Sequence, residues 1–209
     1  MSLSNNKILK IYKSRKTAIE LLKSLKYNVS DYDEFSINEI DAMVKNDQLD
    51  MLLQHPHTNR KVYIKYFMNL KNIRKENLDT LIEDLFVLES VLTKPDILMI
   101  ISNEEPNDTI KEKMKYLYDH DGIFIVMLNI ERLQFNILNH TLVPKSTILE
   151  ETEVQELLTQ YNLKSKELLP DISRFDPLAL AICLKPGEVC KFERNSNTAV
   201  STLYYRVCV

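Results

Sequence analysis

Two uninterrupted apolar runs, ILMII at 97–101 and IFIVML at 123–128, limit what this chain can fold into more than any other feature. A strand with no polar alternation has to be covered on both faces, which in soluble proteins means helices above and below a parallel sheet. The stretch 108–118 between the runs carries apolar residues at helical spacing, so the three segments read as a right-handed βαβ unit. Upstream, the β-prone runs 49–54 and 62–67 flank the polar, Pro-containing HPHTNR and read as a hairpin. Ile8, Ile11, Tyr12, Ile19, Leu22 and Leu25 predict an amphipathic helix over 7–25 whose other face carries Lys10, Lys13, Arg15, Lys16 and Lys23. Ser36 and Glu39 have capping-box spacing and open a second helix that Asn46-Asp47 ends. A long helix is expected over 78–92, and 134–138 as a last strand.

Composition removes several classes of activity. Two glycines in 209 residues leave no glycine-rich loop for a dinucleotide or a nucleoside triphosphate. A net charge of −3 gives no chain-wide positive field, so any contact with DNA has to be local. No apolar run approaches the ~18 residues of a membrane span and no signal-like segment follows Met1, so a soluble, unsecreted chain without membrane partners is expected. Cys183, Cys190 and Cys208 are odd in number and lack C-x-x-C spacing, suggesting neither a disulfide framework nor a zinc site.

The pattern changes after Asn139. A Pro-containing connector at 140–145 divides the chain into an N-terminal domain, 1–139, and a C-terminal domain, 140–209. A short helix over 151–161, capped by Thr152, opens the second. Asp176-Pro177 is a strong helix start, because the carboxylate accepts an orphan amide bond while Pro at the first helical position forfeits no donor. Pro186-Gly187 turns the chain into a strand at 189–193, Asn195-Ser196-Asn197 turns it again, and 203–209 returns as a strand.

These residues resemble an ordered set of family blocks: Leu169-Pro170-Asp171-Ile172, Asp176-Pro177-Leu178-Ala179, Leu184-Lys185-Pro186-Gly187-Glu188-Val189, Arg194-Asn195-Ser196-Asn197-Thr198-Ala199 and Tyr205-Arg206. The family is the fifth shared subunit of eukaryotic RNA polymerases I, II and III, together with its archaeal counterpart. Asn195, Asn197 and Val200 depart from it, standing where the family usually has Pro, Glu and often Gly. Tyr12-x-x-Arg15-Lys16-Thr17 and the order of elements resemble the family's N-terminal jaw domain.

The resemblance implies an α/β and α+β protein: a jaw domain with a restriction-endonuclease-like fold and no active site, and a small α+β assembly domain. It implies a non-catalytic subunit of a DNA-dependent RNA polymerase, without cofactor or metal, that docks on the largest subunit, contacts other polymerase subunits and lies near downstream duplex DNA. The partner-binding set is then Pro170, Asp176, Pro177, Lys185, Gly187, Arg194, Ser196, Thr198, Ala199, Tyr205 and Arg206, with Arg194 and Arg206 able to pair with partner carboxylates. The DNA-proximal set is Lys10, Lys13, Arg15, Lys16, Lys71 and Arg74, against the alternative that these charges simply solvate the surface. The location implied is the nucleus, or a cytoplasmic viral factory and virion for a viral source.

Two rival functions remain open: a metal-dependent nuclease, and a free transcription regulator that keeps the assembly domain. Asp50 and Lys65 sit where a nuclease hairpin carries its acid and its lysine, but Tyr63 stands where the second carboxylate belongs, and a phenol does not replace it as a ligand for a hard cation. His55 and His57 read as a solvated turn rather than a metal pair, because no matching Cys, Asp or Glu completes a tetrahedral set. The cysteines read as small core residues.

Overall fold

The computed structural model describes residues 5–68, 73–196 and 199–209. Contacts divide the chain into two compact units, Met1–Phe135 and Asn136–Val209.

The first unit runs α1 (Asn5–Ser24), α2 (Ile37–Lys45), β1 (Met51–Gln54), β2 (Lys61–Phe67), α3 (Lys75–Ile82), β3 (Ile97–Ser102), α4 (Asp108–Tyr116) and β4 (Phe124–Asn129). Its sheet has the order β1-β2-β3-β4, with β1 antiparallel to β2 and the other pairs parallel. All of β3 and all but the last residue of β4 are buried, as the apolar runs require. β2 instead alternates, burying Val62, Ile64 and Tyr66 and leaving Tyr63 and Lys65 half-buried. Each fully buried Leu or Ile here contributes about 1.5–3 kcal/mol. Ser36 and Glu39 form the capping box of α2, and Asn46 ends that helix.

A buried carboxylate pins the sheet where β2 and β3 begin. Asp96, 3% exposed, accepts the Lys61 amide on Oδ1 at 2.6 Å, and on Oδ2 the Thr93 amide and hydroxyl, each at 2.7 Å. The adjacent residues form the first ladder pair, Val62 opposite Ile97.

Two elements differ from the sequence reading. The helix expected over 78–92 starts earlier, where Asn77 accepts the Arg74 amide, and passes into a π-helical turn, Glu83–Leu88, before Ser90 adopts φ +50°. Periodicity detects its buried stripe and misses the polar first turn. The segment 134–138 is not a strand: it falls in 3-10 turns at Ile130–Gln134 and Ile137–Asn139. Asn129 and Asn136 accept the amides of Glu131 and Leu138, a local bond that competes with strand formation.

The second unit contains β5 (Lys145–Ile148), α5 (Glu151–Gln160), β6 (Asp171–Ile172), α6 (Pro177–Ala181), β7 (Val189–Ser196) and β8 (Val200–Cys208). Its sheet has the order β5-β7-β8-β6. Val154 and Leu157 of α5 pack on Val189 and Val207, with Leu149, Leu158, Leu169 and Tyr205 around them. The N-cap of α5 is Glu150, not Thr152: Glu153 Oε2 accepts the Glu150 amide at 2.9 Å. Asp176 caps α6 as expected, accepting the Leu178 amide at 2.9 Å with Pro177 at the first position. The helix is only five residues long, because Cys183 turns left-handed at φ +52° and Leu184 N–H reaches back to Ala179 O.

With few glycines available, eight non-glycine residues among those described take positive φ. The costliest is Val200, β-branched at φ +60° and 86% exposed at the start of β8. Val200→Gly is expected to stabilise the second unit. Relief of about 1–2 kcal/mol of left-handed strain, less about 0.5–1 kcal/mol for the freer unfolded glycine, leaves a net gain of roughly 0.5–1 kcal/mol. Thermal unfolding of the variant checks it, and a lowered Tm would contradict the strain.

The three cysteines are buried and free. Burial raises every thiol, Cys183 to about 12 and Cys190 and Cys208 to about 11 each. Iodoacetamide at pH 8 is therefore expected to spare all three in the folded chain and to label all three in urea, as mass spectrometry would read. Because the folded state holds these thiols protonated, their contribution to stability is intact below the ordinary thiol value of about 9. It declines as pH rises above that value through about 11 for Cys190 and Cys208 and about 12 for Cys183.

Candidate functional site

The hairpin of the first unit brings together the residues that resemble a nuclease centre. Asp50 lies just before β1 and faces β2, where Tyr63 and Lys65 share one side because strand side chains alternate. Asp50 Oδ2 accepts from Tyr63 Oη at 3.1 Å and pairs with Lys65 Nζ at 2.5 Å, while Oδ1 accepts the Tyr66 amide at 3.3 Å. Desolvation, and then the Asp50 charge, push the Tyr63 phenol well above its ordinary value, so it remains a neutral donor. Both oxygens of Asp50 are thus taken up by protein donors, and the tyrosine offers a proton where a hard cation would need a second carboxylate. Among the described residues, no cluster of three or more His, Cys, Asp or Glu is placed to hold a metal.

His55 sits in a turn that closes on itself: its Nδ1 accepts the amides of His57 and Thr58 at 3.2 Å each, and its ring meets Tyr27 edge-on.

Four of the DNA-proximal set, Lys10, Lys13, Arg15 and Lys16, lie on α1. Lys13, Lys16 and Arg74 are exposed. Lys10 pairs with Glu131. Lys71 lies outside the described residues. Arg15 corrects the sequence reading: it is 2% exposed, donates to Leu49 O at 2.9 Å and lies against the rings of Tyr32 and Phe35, so its guanidinium is not on the surface. Helical spacing places it among lysines, but the loop that follows α1 folds over it.

In the second unit, the expected partner-binding residues divide by what already holds them. Asp176 is committed to capping α6, and Tyr205 packs on the α5 core and meets Tyr161 edge-on. Gly187, at φ +83°, donates to Cys208 O at 2.9 Å and accepts Lys166 Nζ at 2.7 Å. Lys185, half-buried, donates its amide to Glu188 at 2.8 Å. Arg206 is exposed, yet its Nη1 already donates to Asp171 O at 2.9 Å, so it is not wholly available to a partner carboxylate. Pro170, Pro177, Arg194 and Ala199 are exposed. The backbone of Ser196 ends β7, and Thr198 lies outside the described residues.

Among the described residues, a cleft and a strand edge of this unit are open. Arg194 lines a cleft of about 380 Å³ with the connector from Thr141 to Lys145, where Leu142 is 85% exposed. Along β8, β6 covers only Val207 and Cys208. Val207 N–H donates to Pro170 O at 3.0 Å on the β6 side. In an antiparallel pair alternate residues direct both backbone groups to the same side, so Tyr205 and Leu203 aim theirs at the uncovered edge. Sequence reasoning does not find this edge, because it depends on how short β6 is.

Residues 135–208 match the family model described as RNA polymerase Rpb5, C-terminal domain, which coincides with the second unit. The DNA-directed RNA polymerase subunit Rpo5 of Methanococcoides burtonii is 41% identical over 76 residues, 36% of this chain and 96% of that protein. The chain belongs to the Rpb5 family. The Rpo5 of Thermococcus kodakarensis is 43% identical over 76 residues, 36% of this chain and 92% of that protein. The Dictyostelium discoideum protein named DNA-directed RNA polymerases I, II, and III subunit rpabc1 is 27% identical over 205 residues, 98% of each chain. The two Rpo5 alignments thus cover little more than a third of this chain, whereas the Dictyostelium protein aligns along nearly all of it.

Proposed function

We propose that the chain is a non-catalytic subunit of a DNA-directed RNA polymerase. The observation that carries this is the match of the second unit to the Rpb5 C-terminal domain model, together with relatives named as polymerase subunits at 41% and 43% identity over 76 residues and one at 27% over nearly the whole chain. In this reading the second unit is the assembly domain that docks on the largest subunit, and Pro170, Pro177, Arg194 and Ala199 present exposed parts of the docking surface. The first unit is the jaw beside downstream DNA, with Lys13, Lys16 and Arg74 facing phosphates without reading sequence. The closed Asp50–Tyr63–Lys65 cluster supports a nuclease-like fold that does no chemistry. A polymerase of eukaryotic type places the subunit in the nucleus, or in a viral factory and virion if the chain is viral.

Affinity purification of the tagged chain from its own cells tests the reading. Stoichiometric recovery of two very large chains is expected. Truncation at Asn139 should lose them, and Arg194→Ala should reduce recovery while leaving the melting curve unchanged. Recovery that survives the truncation would overturn the docking assignment, and a chain that runs free of large partners would favour a regulator.

A further inference from the structure

α1 and the loop joining it to α2 enclose a cleft of about 360 Å³ whose lining includes Arg15, Tyr32 and Phe35, with Lys16, Asp33 and Glu34 exposed around it. Arg15 is 2% exposed. Its Nη1 donates to Leu49 O, its Cζ lies 5.7 Å from the Tyr32 centroid and 5.3 Å from that of Phe35, and its Nε has no hydrogen-bond partner.

Among the described residues, no carboxylate pairs with Arg15; everything that holds it is uncharged. A guanidinium does not shed its proton in proteins. A full charge is therefore kept out of water with one donor orphaned, an arrangement that costs free energy until a counter-charge arrives. Desolvation is the largest influence on its pKa, which it lowers, in keeping with a cation that lacks its anion.

The surroundings narrow the anion. The cleft lining sets Lys16 and Lys23 beside Glu20, Asp33 and Glu34, so with Arg15 its charges balance; a run of phosphates would meet three carboxylates as well as the bases, while a single acid flanked by a base meets opposite charge at both places. We infer that this cleft receives one carboxylate side chain, a Glu or Asp on an extended segment of a partner protein, with a neighbouring basic residue of that segment set against Asp33 and Glu34. The carboxylate supplies the missing counter-charge beneath the two rings. This does not rest on the polymerase reading.

The test is a titration of the full-length ¹⁵N-labelled chain with the tripeptide acetyl-Lys-Glu-Lys-amide, following the Arg15 Nε–H resonance. A saturable shift is expected, with about tenfold weaker binding of the Lys-Gln-Lys analogue, the scale of one charge-assisted hydrogen bond. Asp33→Lys, at an exposed position, should weaken the Glu peptide severalfold without altering the rest of the spectrum, and Arg15→Met should abolish the response. If Arg15→Met does not fold, the Gln peptide and Asp33→Lys decide. Equal binding of the Glu and Gln peptides, indifference to Asp33→Lys, or inorganic phosphate binding as tightly as the Glu peptide would each overturn the inference.

Discussion

Asp96→Ala is expected to destabilise the first unit by about 2–3 kcal/mol, because it strands the Lys61 and Thr93 amides and the Thr93 hydroxyl where the carboxylate received them. The damage should reach beyond the turn. Lys61 stands next to the first β2–β3 pair, and a slip of one residue would turn Val62, Ile64 and Tyr66 away from the core. Hydrogen exchange should therefore show lost protection along β2 and β3 as well as a lower urea midpoint. Asp96→Asn keeps one acceptor but points an NH₂ at whatever the other oxygen received, the Lys61 amide or the Thr93 pair, so an intermediate loss is expected. An unchanged midpoint in Asp96→Ala would show that the register is held elsewhere.

Gly187→Val is expected to cost the second unit about 2–3 kcal/mol, the upper part of the range for a residue forced into a sparsely populated backbone region. Space is not the obstacle: an added Cβ at Gly187 would come no nearer than 3.7 Å, to Lys166 Nζ. The obstacle is φ +83°, which a β-branched residue does not tolerate. If the backbone moves to accommodate it, the bonds of Gly187 to Cys208 O and from Lys166 Nζ are put at risk together. Gly187→Ala should cost less than Val, since only the left-handed penalty applies. Equal Tm for Val, Ala and wild type would mean that the turn is not held in this conformation.

The parts of the fold that are legible in the sequence are those whose cause is local. β3 and β4 announce themselves because a strand buried on both faces has no polar positions, and the caps at Ser36 and Asp176 because each side chain bonds an amide two or three residues away. β5 is invisible there: Lys-Ser-Thr-Ile has no buried stripe and is a strand only because β7 offers it an edge. Residue type favours Thr152 over Glu150 as the cap of α5, since a threonine is the commoner cap, and the Glu153 bond decides otherwise. In the candidate sites, residue type alone marks Tyr63 as a missing carboxylate. Arg15 gives no such sign, since nothing near it in sequence reveals that Tyr32 and Phe35 close over it.

The uncovered length of β8 bears on the fate of a chain made in excess. A strand edge with unspent amides and carbonyls pairs with any similar edge, including that of a second copy, and here the exposed Leu203 and Tyr204 add apolar contact. Newly made copies that outnumber their partners would then find one another, so that balanced synthesis of the subunits, rather than the stability of this one, sets how much of it stays out of aggregates.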